Sequence, residues 1–146
     1  MTVSISEFMT SHPHSIGVAQ PLAVAERMMK EHHIRHLPVL NGGKIVGILS
    51  DRDAELSRRF GTKEKALTVE DAMMPDPYVA APNEPLRTVA RVMAEHKFGC
   101  AVVAEGTQIK GVFTTVDALN ALSELLKNDA DPRSGTGRRT NFERPG

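Results

Sequence analysis

The 146-residue sequence predicts a mixed α/β (α+β) fold, two tandem βαββα repeats packed about a pseudo-twofold axis. Three observations carry that expectation. Shifted by 64 residues without a gap, the chain matches itself at 14 of 46 positions between 9–54 and 73–118, where average residue usage would give about 3. Each copy has a proline followed by apolar residues at helical spacing. Each copy then shows two short apolar runs joined by a glycine-containing turn.

The elements follow in order. A short strand is expected near Ile16 and near Val79. Pro21 and Pro85 stand where the first turn of a helix tolerates proline, and Leu22, Ala25, Met28, Met29 and then Leu86, Val89, Val92, Met93 mark an amphipathic helix in each half. Leu37–Leu40 and Lys44–Leu49 flank Asn41-Gly42-Gly43, a hairpin signature; Ala101–Ala104 and Ile109–Phe113 flank Glu105-Gly106-Thr107 in the same way. Ser50 and Thr114 open second helices, Asp51–Arg59 and Thr115–Lys127. The chain thus divides into repeat one (1–64), repeat two (65–128) and a Gly/Pro-rich stretch (129–146) with too little apolar surface to order, expected to be a disordered tail. The charged residues 57–66 join the copies.

Composition excludes several function classes. With 18 basic and 18 acidic residues the overall field is near zero, and 4% aromatic residues with no Trp disfavour base-stacking surfaces, so nucleic acid is an unfavoured partner. The arginines of the tail are balanced by acids and read as a solvated segment. No apolar run approaches the 18 or more residues of a membrane span, and the N-terminus lacks a basic segment followed by an apolar one. A single cysteine, Cys100, rules out an intrachain disulfide and suits a reducing compartment. A cytoplasmic protein is expected.

The motif that repeats most completely is Gly47-Ile48-Leu49-Ser50-Asp51-Arg52-Asp53 and its partner Gly111-Val112-Phe113-Thr114-Thr115-Val116-Asp117, both Gly-apolar-apolar-Ser/Thr-x-x-Asp. Its plain interpretation is a capping box in which hydroxyl and carboxylate satisfy the free N–H groups of a helix start. Its functional interpretation uses the same geometry: a helix N-terminus favours phosphate, a carboxylate accepts two hydrogen bonds from a ribose diol, and the glycine lets a ligand approach. Retention in both copies favours a nucleotide pocket. Ser/His/Asp sets, Walker loops and dinucleotide glycine patterns are absent from the sequence, so a binding protein rather than an enzyme is expected.

On Met9-Thr10, Pro21-Leu22, the stretch His33-Ile34-Arg35-His36-Leu37-Pro38-Val39 and Gly47 to Asp53, the 64-residue unit resembles a CBS (cystathionine beta-synthase) domain, and the tandem resembles a Bateman module, over about 125 of 146 residues. The resemblance implies a disc with two clefts for adenosyl ligands: AMP, ADP, ATP or S-adenosylmethionine. It implies that Asp53 and Asp117 hold ribose hydroxyls and that Ser50 and Thr114 reach ribose or phosphate. Ile34 to Pro38 and Phe98 to Val102 would border the base, with Ile16 and Ala80. It also implies a homodimer of such pairs and a regulatory role acting on an effector protein. The alternative from another class is a ligand-independent homodimerisation module.

The second copy departs from the pattern. Arg35, His36, Pro38 and Arg52 are replaced by Gly99, Cys100, Val102 and Val116, which removes the nearby cations. The site carrying Asp53 therefore ranks above that carrying Asp117, where an anion would need charge lent by the first copy. Arg35 has a plainer reading as a helix-end charge. His36 is expected to neutralise phosphate or pack at the site mouth, with pH-sensitive binding as a consequence. His32 and His36 are four apart, but Pro38 follows closely and no carboxylate or cysteine completes a set, so no metal is expected. The repeated His32/His96 pair marks a helix-end packing position, Cys100 a small buried hydrophobe, and Met28, Met29, Met73, Met74 and Met93 core or inter-copy packing, with an exposed methionine-rich oligomer face as the sharper alternative.

Overall fold

The computed structural model describes residues 2–61 and 66–129. The middle of the connection (62–65) and nearly all of the expected tail (130–146) lie outside the described residues. The elements are β1 (Thr10–Ser11), β2 (Ile16–Gly17), α1 (Leu22–Glu31), β3 (His36–Asn41), β4 (Lys44–Ser50), α2 (Asp51–Phe60), α3 (Val69–Ala72), β5 (Met74–Pro75), β6 (Val79–Ala80), α4 (Leu86–His96), β7 (Cys100–Glu105), β8 (Gln108–Thr114) and α5 (Thr115–Leu125). A single 3-10 turn, Ile5–Glu7, precedes β1. The βαββα order appears in both halves, with one short strand more per half than expected.

Those extra strands are exchanged. The two four-stranded sheets run β5-β4-β3-β2 and β1-β8-β7-β6, which are equivalent under the 64-residue shift, but β1 of the first repeat lies in the second repeat's sheet and β5 in the first. Thr10 pairs with Val112 and Ser11 with Gly111; Met74 pairs with Ile48 and Pro75 with Gly47. The exchange extends to the cores. Ile5 is fully buried in the cluster of Val89, Ala101, Val103 and Phe113, while Val69 and Ala72 pack with Leu37, Val39 and Leu49. Val102, Ala104 and Ile109 meet Ile45 and Ile48 in a third cluster that joins the sheets. Burying each of the Val, Leu, Ile and Phe side chains contributes about 1.5–3 kcal/mol.

The helix ends show why these segments form where they do. Pro21 and Pro85 take the cap position rather than the first turn, with φ of −59° and −62°, and offer no side-chain oxygen. The first N–H groups are satisfied instead by the exchanged segments: Leu22 N–H donates to the Leu67 carbonyl at 2.9 Å and Leu86 N–H to the Val3 carbonyl at 2.7 Å. At the other end His33 and Lys97, equivalent positions, adopt left-handed φ of 55° and 58°. Ile34 and Phe98 N–H groups then reach back to Met29 and Met93 carbonyls, turning the chain sharply into the next strand.

Candidate functional site

Each second helix begins at the end of a strand, and both starts are built alike. Asp51 N–H donates to the Arg35 carbonyl at 2.9 Å, and Thr115 N–H to the Gly99 carbonyl at 3.1 Å. Asp53 N–H donates to Ser50 Oγ at 3.0 Å, and Asp117 N–H to Thr114 Oγ1 at 3.1 Å. There the likeness stops. In the second repeat the box is complete, because Thr114 N–H donates to Asp117 Oδ2 at 3.0 Å, and the Thr10 hydroxyl approaches both carboxylate oxygens. Asp117 is buried. In the first repeat the box is half made: among the described residues, no donor engages the half-buried Asp53 carboxylate.

Asp53 borders a cleft of about 310 Å³ with Ser50, His36 and Ile48 from the first repeat. The opposite wall comes from the second: Met74, Pro75, Asp76, Pro77, Tyr78, Lys97, Phe98, Gly99 and Cys100. Tyr78 and Phe98 form an aromatic corner, ring centroids 5.7 Å apart, and His96 stacks on Phe98 at 5.1 Å. Burial pushes the Cys100 thiol up to about 12, with the Asp117 charge adding to it, so the thiol stays protonated and apolar in character.

Asp117 borders a second cleft, of about 550 Å³, with Thr10, Thr114 and Val116, and with His12, His33, Ile34, Arg35 and His36. His36 and Gly99 line both clefts. The cations that the sequence associates with Asp53 are thus redistributed. Arg35 and Ile34 face the Asp117 cleft, so the charge lent across the pair is present there; Arg52 borders neither cleft. Ile16, Ala80 and Pro38 are buried behind the clefts rather than lining them. Phe98 and Cys100 belong with Asp53, not with the aspartate of their own repeat, and Gly99 borders both clefts. Tyr78, Lys97 and Asp76 were not singled out by sequence; Lys97 was findable as the counterpart of His33.

Two further expectations are corrected. Gly47 and Gly111 do not make room for a ligand. A Cβ on Gly47 would meet Met73 Sδ at 2.5 Å and the Met74 carbonyl at 2.9 Å, and one on Gly111 would strike the Thr10 carbonyl, so both glycines admit the exchanged strand. Met74 is not core: 59% exposed, it walls the Asp53 cleft, whereas Met29 and Met93 are buried.

The histidines gather beside the Asp117 cleft. His14 stacks on His32 with centroids 3.9 Å apart and on His12 at 5.5 Å, which gives His32 its packing role. His14 N–H donates to His12 Nδ1 at 3.1 Å, and the buried His12 Nε2 makes no hydrogen bond of full geometry among the described residues. Burial lowers the pKa of His12, and the neighbouring His14 lowers it further. Burial also lowers His36, against the opposing pull of Asp51 and Asp117. Among the described residues, no three His, Cys, Asp or Glu side chains are grouped to hold a metal ion, and no helix is long and apolar enough to cross a membrane.

The comparisons with known proteins agree with this architecture. The CBS domain family profile matches residues 5–54 and 69–124. The CBS domain-containing protein YhcV of Bacillus subtilis is 25% identical over 121 residues, covering 82% of this chain and 86% of its own. The crystal structure of CBSX2 in complex with AMP, a CBS-pair protein from Arabidopsis thaliana, superposes with a TM-score of 0.64 at 25% identity, covering 85% of this chain and 98% of that one. A hexameric CBS-CP12 protein from bloom-forming cyanobacteria superposes with a TM-score of 0.74 at 26% identity, over 89% and 74% of the two chains. Two matched repeats, equivalent sheets and the exchanged strands together show that the chain belongs to the CBS domain family, as a tandem pair.

Proposed function

We propose that this CBS pair is a regulatory module that binds an adenosyl nucleotide or nucleoside in the clefts between its repeats and alters an effector protein in response. The observation that carries the reading is the Asp53 carboxylate: half-buried in a cleft, at the start of α2, and without a protein donor, it is left to accept a ligand's hydroxyls. A ribose diol offers two such hydroxyls, and the Tyr78/Phe98 corner offers an aromatic face for a base. AMP bound to the similar CBSX2 pair supports the ligand class. AMP, ADP, ATP and S-adenosylmethionine are the candidates. On this reading the module is non-catalytic and works in the reducing cytoplasm, in keeping with its single protonated thiol.

A second reading, a homodimerisation or interaction module that needs no ligand, is favoured by one observation. Val116, Leu119, Leu122, Leu125 and Leu126 on and just after α5 are all more than half exposed, an apolar row of the kind that marks contact surfaces. The two readings are compatible if pairs dimerise through helices, as the resemblance implies. They are separated by a thermal-shift screen of the purified protein against AMP, ADP, ATP, S-adenosylmethionine, NAD and cyclic dinucleotides, since a ligand that binds only the folded state raises stability by mass action. A ligand that raises the melting temperature of wild type but not of Asp53→Ala, or not of Asp117→Ala run alongside, supports sensing and names the cleft. No response at millimolar concentration, and no co-purified ligand, leaves the interaction module.

A further inference from the structure

The two clefts differ in charge, and residues of the opposite repeat create the difference: Asp76 and Lys97 of the second repeat enter the Asp53 cleft, and Arg35 of the first enters the Asp117 cleft. The Asp53 cleft holds two carboxylates, Asp53 and Asp76, against one ammonium, Lys97, with the His36 imidazole that the two clefts share. The Asp117 cleft holds the Arg35 guanidinium and the imidazoles of His12, His33 and His36. Its one carboxylate is already engaged by the Thr10 hydroxyl and the Thr114 N–H. Asp117, buried and holding two protein donors, therefore has fewer acceptor positions left for a diol than Asp53, whose carboxylate holds no protein donor among the described residues.

A second observation in the Asp117 cleft points to an acceptor. His12 is 8% exposed, and its Nδ1 accepts from His14 N–H, which makes Nε2 the protonated nitrogen. That buried N–H makes no hydrogen bond of full geometry among the described residues, although the His36 backbone draws on the His12 ring, and it leaves donor capacity beside the cleft that His12 lines. Burial holds His12 and His36 in their neutral, N–H-donating forms, so Arg35 supplies the permanent charge. Size differs in the same sense, about 550 Å³ against about 310 Å³.

Resting on the nucleotide-binding reading above, we propose that the clefts divide their ligands by charge: the Asp117 cleft takes a phosphate-bearing nucleotide, and the Asp53 cleft takes a nucleoside that carries no phosphate. A phosphate beside Asp53 and Asp76 meets like charge, whereas beside Arg35 it meets a fork of donors matched to its oxygens. A ribose diol meets the reverse preference, a free carboxylate at Asp53 and a buried, partly occupied one at Asp117.

The test is calorimetric titration of the full chain with AMP and with adenosine, at 50 and at 300 mM NaCl, for wild type, Arg35→Gln and Asp53→Asn. Arg35 is exposed and Asp53→Asn preserves shape, so both variants keep the fold. Arg35→Gln is expected to weaken AMP at least tenfold and adenosine less than twofold; Asp53→Asn does the opposite. Salt weakens AMP alone, and adenosine-saturated protein still takes up one AMP. Loss of both ligands to the same substitution, or full competition between them, overturns the division while leaving nucleotide binding intact. Failure of one probe alone to bind wild type overturns the division, and failure of both overturns the nucleotide-binding reading and the division with it.

Discussion

The Thr10 hydroxyl lies 3.0 Å from Asp117 Oδ1 and 3.1 Å from Asp117 Oδ2, so a residue from the first strand of the chain closes the capping box of its last helix. The equivalent of Thr10 across the 64-residue shift is Met74, which has no hydroxyl to give. That difference, together with the lack among the described residues of a Ser50 N–H bond to match the Thr114 N–H bond to Asp117, leaves Asp53 open while its twin is closed, and Thr10 reaches Asp117 because β1 lies in the second repeat's sheet. Two sites with the same motif thereby acquire different chemistry.

Removing the hydroxyl tests the closed site. Thr10→Val keeps the shape of the side chain and leaves a buried carboxylate short of a donor, which costs about 1–3 kcal/mol. The urea midpoint is expected to fall with an unchanged slope, because the surface exposed on unfolding is the same.

The reciprocal change tests the open one. Met74→Thr places a hydroxyl where repeat two has it, and is expected to stabilise the fold by up to about 1 kcal/mol while weakening nucleoside binding about tenfold or more. Denaturation and titration of the same sample check both signs. A gain in stability with affinity unchanged would separate Asp53 from ligand binding.

The exchanged strand has its own test. Gly111→Ala drives a methyl group into the Thr10 carbonyl and against Ser11, backbone that cannot rotate away. Displacing β1 is expected to cost about 1–3 kcal/mol and to open the Asp117 box at the same time. Amide exchange should show the loss of protection concentrated at Thr10, Ser11 and their partners Val112 and Gly111.

Much of this was legible in the sequence because it is local. Helices and hairpins are written in the spacing of neighbours such as Leu22, Ala25 and Met29, or in Asn41-Gly42-Gly43, and the repeat is written in the shift itself. The strand exchange was not legible. Two-residue strands have no periodicity to read, and the pairing of Thr10 with Val112 spans most of the chain. What depends on the exchange was hidden with it: why Gly47 and Gly111 are glycine, and why Asp117 is closed, whereas the loan of charge from the first copy to the Asp117 cleft was foreseeable from the cations missing in the second. The Thr10/Met74 mismatch was visible, but only the fold says what it means.

Stability should depend on pH in a definite direction. His12 and His36 are held below their ordinary value of 6.5, chiefly by burial. The unfolded chain therefore takes up protons first as pH falls below 6.5, and stability present above that pH is lost as pH drops through the folded values. The urea midpoint is expected to decrease between pH 7 and pH 5. His12→Asn, which retains an acceptor for the His14 N–H, should flatten part of that slope.

The central claim is that the open Asp53 carboxylate recognises a ribose diol, and the most direct measurement compares adenosine with 2′,3′-dideoxyadenosine on wild type and on Asp53→Ala. Wild type is expected to bind adenosine at least about tenfold more tightly, since hydrogen bonds to a charged acceptor contribute about 1.5–3 kcal/mol, and Asp53→Ala should bind the two nucleosides equally. Equal affinity of wild type for both, or a preference for adenosine that survives in Asp53→Ala, would contradict it.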